Sequence, residues 1–128
     1  MPHLRIEYSG NLETRLDVAR FCTTLHTCIK NTGLFELGAI RVRAFRCDHL
    51  AVADLLAENS FLDMQFAVGE GRSANDLKRA GGQIFGSASD QLAQLFETPH
   101  FALSFQITEI NGNLSWKKNA MHARLRNS

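Results

Sequence analysis

The chain has little of what marks many functional classes. Its 128 residues include three cysteines, two prolines, one tryptophan and one tyrosine. An odd cysteine count with no sign of secretion makes Cys22, Cys28 and Cys47 reduced core residues, not a disulfide framework. Cys22 and Cys28 stand six apart on an expected helix, a spacing that points them away from each other. The five histidines, His3, His26, His49, His100 and His122, form no HExxH, and the cysteines form no CxxC, so no metal is expected. A P-loop and a GxSxG elbow are also missing. Neither sign of charge is in excess, with 14 Lys and Arg against 13 Asp and Glu. Counterion release needs a clustered excess of cations, so no nucleic-acid partner and no anionic membrane surface is expected. No segment approaches the roughly 20 apolar residues that span a bilayer. Met1-Pro2-His3-Leu4-Arg5-Ile6-Glu7 carries charge where a signal peptide is apolar, so a cytoplasmic protein is expected.

What is present is a well-patterned 45% of hydrophobic residues, enough for one core and one domain over 1–128. Leu4, Ile6 and Tyr8 alternate with His3, Arg5 and Glu7, the period of a half-buried strand. From about Glu13 the period changes. Val18, Phe21, Cys22, Leu25, Cys28 and Ile29 recur at helical spacing until Asn31 and Gly33. Ile40, Val42 and Ala44 then face one way and Arg41 and Arg43 the other, with Phe45 and Cys47 breaking the alternation as a bulge near Ala44 would. After a connection through Asp48 to Ser60 the order repeats. Leu62, Met64, Phe66 and Val68 make a strand, and Gly69-Glu70-Gly71-Arg72-Ser73 leads into a helix striped by Leu77, Ala80, Gly81, Ile84, Ala88, Leu92 and Leu95. Ser73, with Asp76 three residues on, is its expected N-cap. Leu103, Phe105 and Ile107 form a fourth strand. A short extended piece at Leu114 to Trp116 and a helical turn or two within Asn119 to Arg126 complete the chain.

The pattern predicts an α+β fold of tandem βαβ units, in two layers: a four-stranded mixed sheet with two helices on one face. The other face carries His3, Arg5, Glu7, Arg41, Arg43, Asp63, Gln65, Ser104 and Gln106, with Phe45, Phe61 and Phe101 outside the helix-facing stripes. Such a face either meets water or forms an oligomer interface or a lined pocket.

Three places could carry chemistry. The glycines before Ser73 let backbone amides approach a ligand, and the helix start adds free N–H groups and the positive dipole end. With the Arg72 guanidinium beside them, a carboxylate would be held there; the plainer reading is a tight turn with a solvated arginine. Arg41 and Arg43 project from one strand face, suited to an anion between them or to ordinary surface ion pairs. Pro2 would become a secondary amine at the first strand once Met1 is removed. Such an amine acts as a base only when desolvation and nearby cations disfavour its protonated form.

Pro2-His3-Leu4 entering a strand, Gly38-Ala39-Ile40-Arg41-Val42-Arg43, Gly69-Glu70-Gly71-Arg72-Ser73, Ala102-Leu103-Ser104-Phe105 and Leu114-Ser115-Trp116-Lys117 with Asn119 and His122 occur in an order that resembles one family. It is the 5-carboxymethyl-2-hydroxymuconate isomerase family of the tautomerase superfamily, and the resemblance runs from Pro2 to Leu125. It implies a homotrimer with sites between subunits, no metal or organic cofactor, and ketonisation of a small dienol polycarboxylate. By the same resemblance Pro2 is the general base and acid. Arg41 and Arg72 bind carboxylates and polarise the developing oxo group, Trp116 walls the site, and Lys117 and Arg43 stand at its edge. Glu36 departs from the family pattern, which runs apolar or proline there, as do Asn75 and Gln106, where acids are frequent. Two alternatives stand beside this reading: another activity of the superfamily on an unsaturated acid, and a non-catalytic ligand-binding module of ferredoxin-like form.

Overall fold

A computed structural model describes residues 1–127; of the single domain expected over 1–128, Ser128 lies outside the described residues. The first unit runs β1 (His3–Ser9), α1 (Val18–Asn31) and β2 (Arg41–Cys47). The second runs β3 (Ser60–Gly69), α2 (Ala74–Gln91) and β4 (Phe101–Ile110), followed by a short α3 (Met121–Arg126). The strand order is β2-β1-β3-β4. β1 and β2 are parallel, β3 and β4 are parallel, and β1 and β3 join the two units antiparallel at the centre. This is the expected α+β sheet with tandem βαβ units, each crossover helix linking its own parallel pair.

The alternation read in the sequence decides what is buried. Leu4 and Ile6 of β1, Leu62, Met64, Phe66 and Val68 of β3, Phe21, Leu25 and Ile29 of α1, and Ile84 and Ala88 of α2 form one core between sheet and helices. Each of these side chains apart from Ala88 contributes roughly 1.5–3 kcal/mol by leaving water. Asp17 starts α1 by accepting from the Arg20 amide at 3.0 Å, and Ser73 starts α2 by accepting from the Asp76 amide at 3.1 Å. Each satisfies a donor that the first helical turn leaves unpaired.

Several local expectations are corrected. α1 begins at Val18 and not near Glu13, because Gly10–Leu12 closes a 3-10 turn and the Asp17 cap comes after it. There is no bulge at Ala44: β2 pairs β1 without interruption from Arg41 to Cys47. Phe45 keeps the alternation and lies on the face of Arg41 and Arg43, where the Arg5 guanidinium stacks on its ring at 4.4 Å. Phe101 belongs to the helix side, packed against the core and edge-to-face with Phe96 at 4.9 Å. Leu114 to Trp116 forms no strand. Gly112–Leu114 is a 3-10 turn opened by Asn111, whose side chain accepts from the Asn113 amide. The ferredoxin-like alternative is also set aside, since its hairpin would make β2 and β3 neighbours and here β2 is an edge strand that pairs only with β1. No helix among the described residues is long and apolar enough to cross a membrane.

Candidate active site

The start of the chain lies at one end of the two central strands. Pro2 is buried, and its carbonyl accepts the Arg41 amide at 3.1 Å, extending the β1–β2 ladder by one bond. Across the antiparallel pair the terminus lies against the end of β3, with the Met1 nitrogen at ordinary contact distance, 3.5 Å, from where a Cβ on Gly69 would stand. A pocket of about 180 Å³ opens here between Met1, Gly69, Glu70, Gly112, Ser115 and Lys117. A larger and more open groove of about 460 Å³ lies between α2 and β4, lined by Leu77, Gly81, Phe105 and Ile107. Among the described residues Lys78 and Glu109 are its only charged lining groups, and its floor is apolar, whereas the smaller pocket brings together an amine, a carboxylate and a lysine.

Arg72 is held rigidly. Its Nε and Nη2 donate to the Leu34 carbonyl at 3.3 and 3.1 Å, its Nη1 donates to the Gly69 carbonyl at 3.2 Å, and its guanidinium lies 4.4 Å over the Phe35 ring. Three of five N–H groups are thus committed to backbone, which leaves two, on a fixed plane, for an anion. Arg41 reaches the other side of the terminus, with Nη1 4.0 Å from the Met1 sulfur and 2.7 Å from His3 Nε2. His3 must be unprotonated at that nitrogen to accept, and its environment agrees: burial, then Arg41, Arg43 and the terminal ammonium, hold its pKa below the usual 6.5.

The same corner acts on the terminal amine. Burial, followed by Lys117, Arg72 and Arg41, pushes the Met1 ammonium below its usual range. Of the other residues singled out from the sequence, Arg43 is exposed, opposite Arg5 in register, and has no carboxylate partner among the described residues. The Ser73 oxygen caps α2. Trp116 is 85% exposed in the single chain. The structure therefore brings Pro2, Arg41, Arg72 and Lys117 together, with Ser73 adjoining Arg72, and leaves Arg43 and Trp116 at the periphery.

Sequence reasoning did not single out His3, Glu70 or Asn119 for roles. Glu70 Oε1 accepts the Gly112 amide at 3.0 Å, and Asn119 Nδ2 donates to the Gly38 carbonyl at 2.8 Å. These partners are 42 and 81 residues apart, so no local pattern signals them. Only the position of His3, on the face of Arg41 in the neighbouring strand, was open to inference.

A βαβ repeat closed into this mixed sheet is the fold of tautomerases. The profile of the 5-carboxymethyl-2-hydroxymuconate isomerase family matches residues 2–125. The 5-carboxymethyl-2-hydroxymuconate Delta-isomerase of Escherichia coli is 32% identical over 123 residues, 96% of this chain and 98% of that protein. The crystal structure of a 5-carboxymethyl-2-hydroxymuconate isomerase from Deinococcus radiodurans R1 is 32% identical, with a TM-score of 0.92 over 98% of this chain and 94% of that one. A second crystal structure, of a 5-carboxymethyl-2-hydroxymuconate delta-isomerase, is 31% identical with a TM-score of 0.89, covering 98% and 93% of the two chains. The chain belongs to the 5-carboxymethyl-2-hydroxymuconate isomerase family, an enzyme family of the tautomerase superfamily. More distantly, a fused 4-OT described as a symmetric trimer shares the fold at 12% identity and a TM-score of 0.62, over 91% of this chain and 93% of that one.

Proposed function

We propose that this isomerase ketonises 5-carboxymethyl-2-hydroxymuconate or a similar dienol polycarboxylate, with the amine of Pro2 as base and acid. The observation that carries the reading is the convergence of Lys117, Arg72 and Arg41 on the start of β1. Removal of Met1 makes Pro2 nitrogen a secondary amine in that same corner. Partial burial and three cations both disfavour its protonated form, which favours the free base.

The amine takes the proton of the 2-hydroxyl. The O–H electron pair becomes the new carbonyl, the conjugated π electrons shift outward, and a carbon at the far end takes a proton back from the prolinium. Atoms and charge balance with these groups alone, so the reading needs no cofactor. Negative charge develops on the oxygen and along the chain, where fixed cations stabilise it without reorganising. Arg41 and the two free N–H groups of Arg72 receive a carboxylate and polarise the oxo group. Ser73 and the first amides of α2 extend this anion site. Lys117 and Arg43 meet the outer carboxylates, and Trp116 closes the site.

The active unit in this reading is a homotrimer. Support comes from the uncovered sheet face, where Arg41, Arg43 and Phe45 stand beside His3, Arg5 and Glu7, and from Trp116 and Leu114, 85% and 71% exposed in the single chain. The symmetric trimer of the 4-OT relative lends the arrangement. Three unpaired thiols suit the reducing cytoplasm.

The test joins intact mass to kinetics. Native protein should lack Met1 and ketonise the dienol, and Pro2→Ala should lose most of the rate while keeping its fold. Native protein that keeps Met1 throughout, or a Pro2→Ala variant with the rate of the parent, rejects the assignment.

A further inference from the structure

The segment after β4 crosses the mouth of the pocket, and two side chains tie it down on either side of Lys117. On the near side, the Glu70 carboxylate accepts the Gly112 amide at 3.0 Å. The two residues are close enough that a Cβ on Gly112 would stand 3.0 Å from the same carboxylate oxygen. On the far side, Asn119 Nδ2 donates to the Gly38 carbonyl at 2.8 Å, while its Oδ1 accepts the Met121 amide at 2.8 Å and so starts α3. Both anchors are informative in position. Glu70 lies two residues before Arg72, and Gly38 lies three residues before Arg41. Between the anchors, Ser115 and Lys117 line the pocket beside Met1.

We propose that Glu70 and Asn119 are positioning residues: they pin the 112–119 segment between the loop of Arg72 and the turn before Arg41, and so fix Lys117 at the start of the chain beside β1. An unpinned lysine on a flexible four-carbon stem spends much of its time in water, and ordering it at the moment of binding costs conformational entropy. Two anchors hold the backbone that carries it, and so remove the share of that cost that belongs to the segment. Glu70 acts here as a hydrogen-bond acceptor, so its charge is dispensable and an amide oxygen serves equally. The inference rests on the functional reading for the role of Lys117, though the pinning itself does not.

Amide hydrogen exchange and steady-state kinetics test the two parts separately. Exchange over 113–118 should quicken in Glu70→Ala and in Asn119→Asp, which keeps the α3 start but loses the donor to Gly38. It should remain as in the parent in Glu70→Gln. With 5-carboxymethyl-2-hydroxymuconate as substrate, Glu70→Ala should raise KM about tenfold with kcat within about threefold, and Glu70→Gln should restore KM. In a Lys117→Ala background the Glu70→Ala effect on KM should vanish, as expected of residues that act through one another. Unchanged exchange in Glu70→Ala, or Glu70→Gln as impaired as Glu70→Ala, overturns the positioning role. A Lys117→Ala variant with parental KM instead removes Lys117 from the substrate, and the kinetic part of the proposal falls with it. Wild-type protein inert towards the dienol counts against the functional reading, while the exchange result still decides the pinning.

Discussion

Arg41 donates to His3 across the parallel β1–β2 pair, with Nη1 2.7 Å from Nε2, at register positions directly opposite each other. The bond needs a neutral imidazole, and the folded protein disfavours its protonation through burial and the charges of Arg41, Arg43 and the terminus. Because the folded-state pKa is lowered, the unfolded chain binds more protons below the ordinary value of 6.5. Stability from this group is full above that pH and is lost as pH falls towards the folded value. Thermal unfolding between pH 7.5 and about 5 should show a falling Tm in the parent and a flatter profile in His3→Gln. An equal fall in both would assign the loss to other groups.

Ser73 and Asp17 perform the same capping on α2 and α1, but only Ser73 adjoins Arg72. Ser73→Ala and Asp17→Ala should each cost about 1 kcal/mol of stability, measured by denaturant unfolding. Their kinetics should differ. Ser73→Ala should also raise KM severalfold, and Asp17→Ala should leave KM unaltered.

The strands and the core were legible in the sequence because a half-buried strand must alternate, and β1, β3 and β4 do so over their central residues. The N-cap of α2 was legible from Ser73 and Asp76. The start of α1 was not, since Leu12 and Leu16 continue an apolar spacing through a 3-10 turn and the cap at Asp17 carries no apolar signal. Phe45 misled because aromatics usually mark the covered face, whereas here a cross-strand arginine shields the ring. At the site, Pro2, Arg41 and Arg72 were each visible as residue types, with the resemblance supplying their grouping. Their supports were hidden: Arg72 is held by the Leu34 carbonyl 38 residues away, and Glu36 meets Arg126 and His122 only after the chain returns from β4.

Glu36 makes a two-pronged contact with Arg126, and its Oε2 lies 3.1 Å from His122 Nδ1, a contact not aligned as a hydrogen bond. The Arg126 side chain is mostly exposed, so Arg126→Ala should change stability by no more than about 1 kcal/mol. Gly38→Ala should cost more. A Cβ there would lie 2.9 Å from His122 Nδ1 and 3.2 Å from the His122 backbone nitrogen, forcing α3 away. A loss of about 1–3 kcal/mol in denaturant unfolding is expected, with faster exchange in α3.

Trp116 is the single tryptophan and is 85% exposed in one chain, so its fluorescence reports directly on assembly. In the proposed trimer a neighbouring subunit covers it. Emission should be blue-shifted and poorly quenched by acrylamide at high protein concentration, and should become red-shifted and readily quenched as dilution dissociates the assembly. Sedimentation at the same concentrations should move from trimer to monomer. A monomer at every concentration, with a fully quenchable tryptophan, would contradict the assembly.

In the proposed mechanism Pro2 carries a basic nitrogen tuned by Lys117, Arg72 and Arg41. Titration of the Pro2 nitrogen by ¹⁵N NMR in the native protein addresses it most directly. A single titrating amine is expected, with a pKa below that of an unperturbed N-terminal proline that rises towards it in Arg72→Ala. A nitrogen that does not titrate, or one that titrates as in a free peptide and ignores Arg72→Ala, would contradict it.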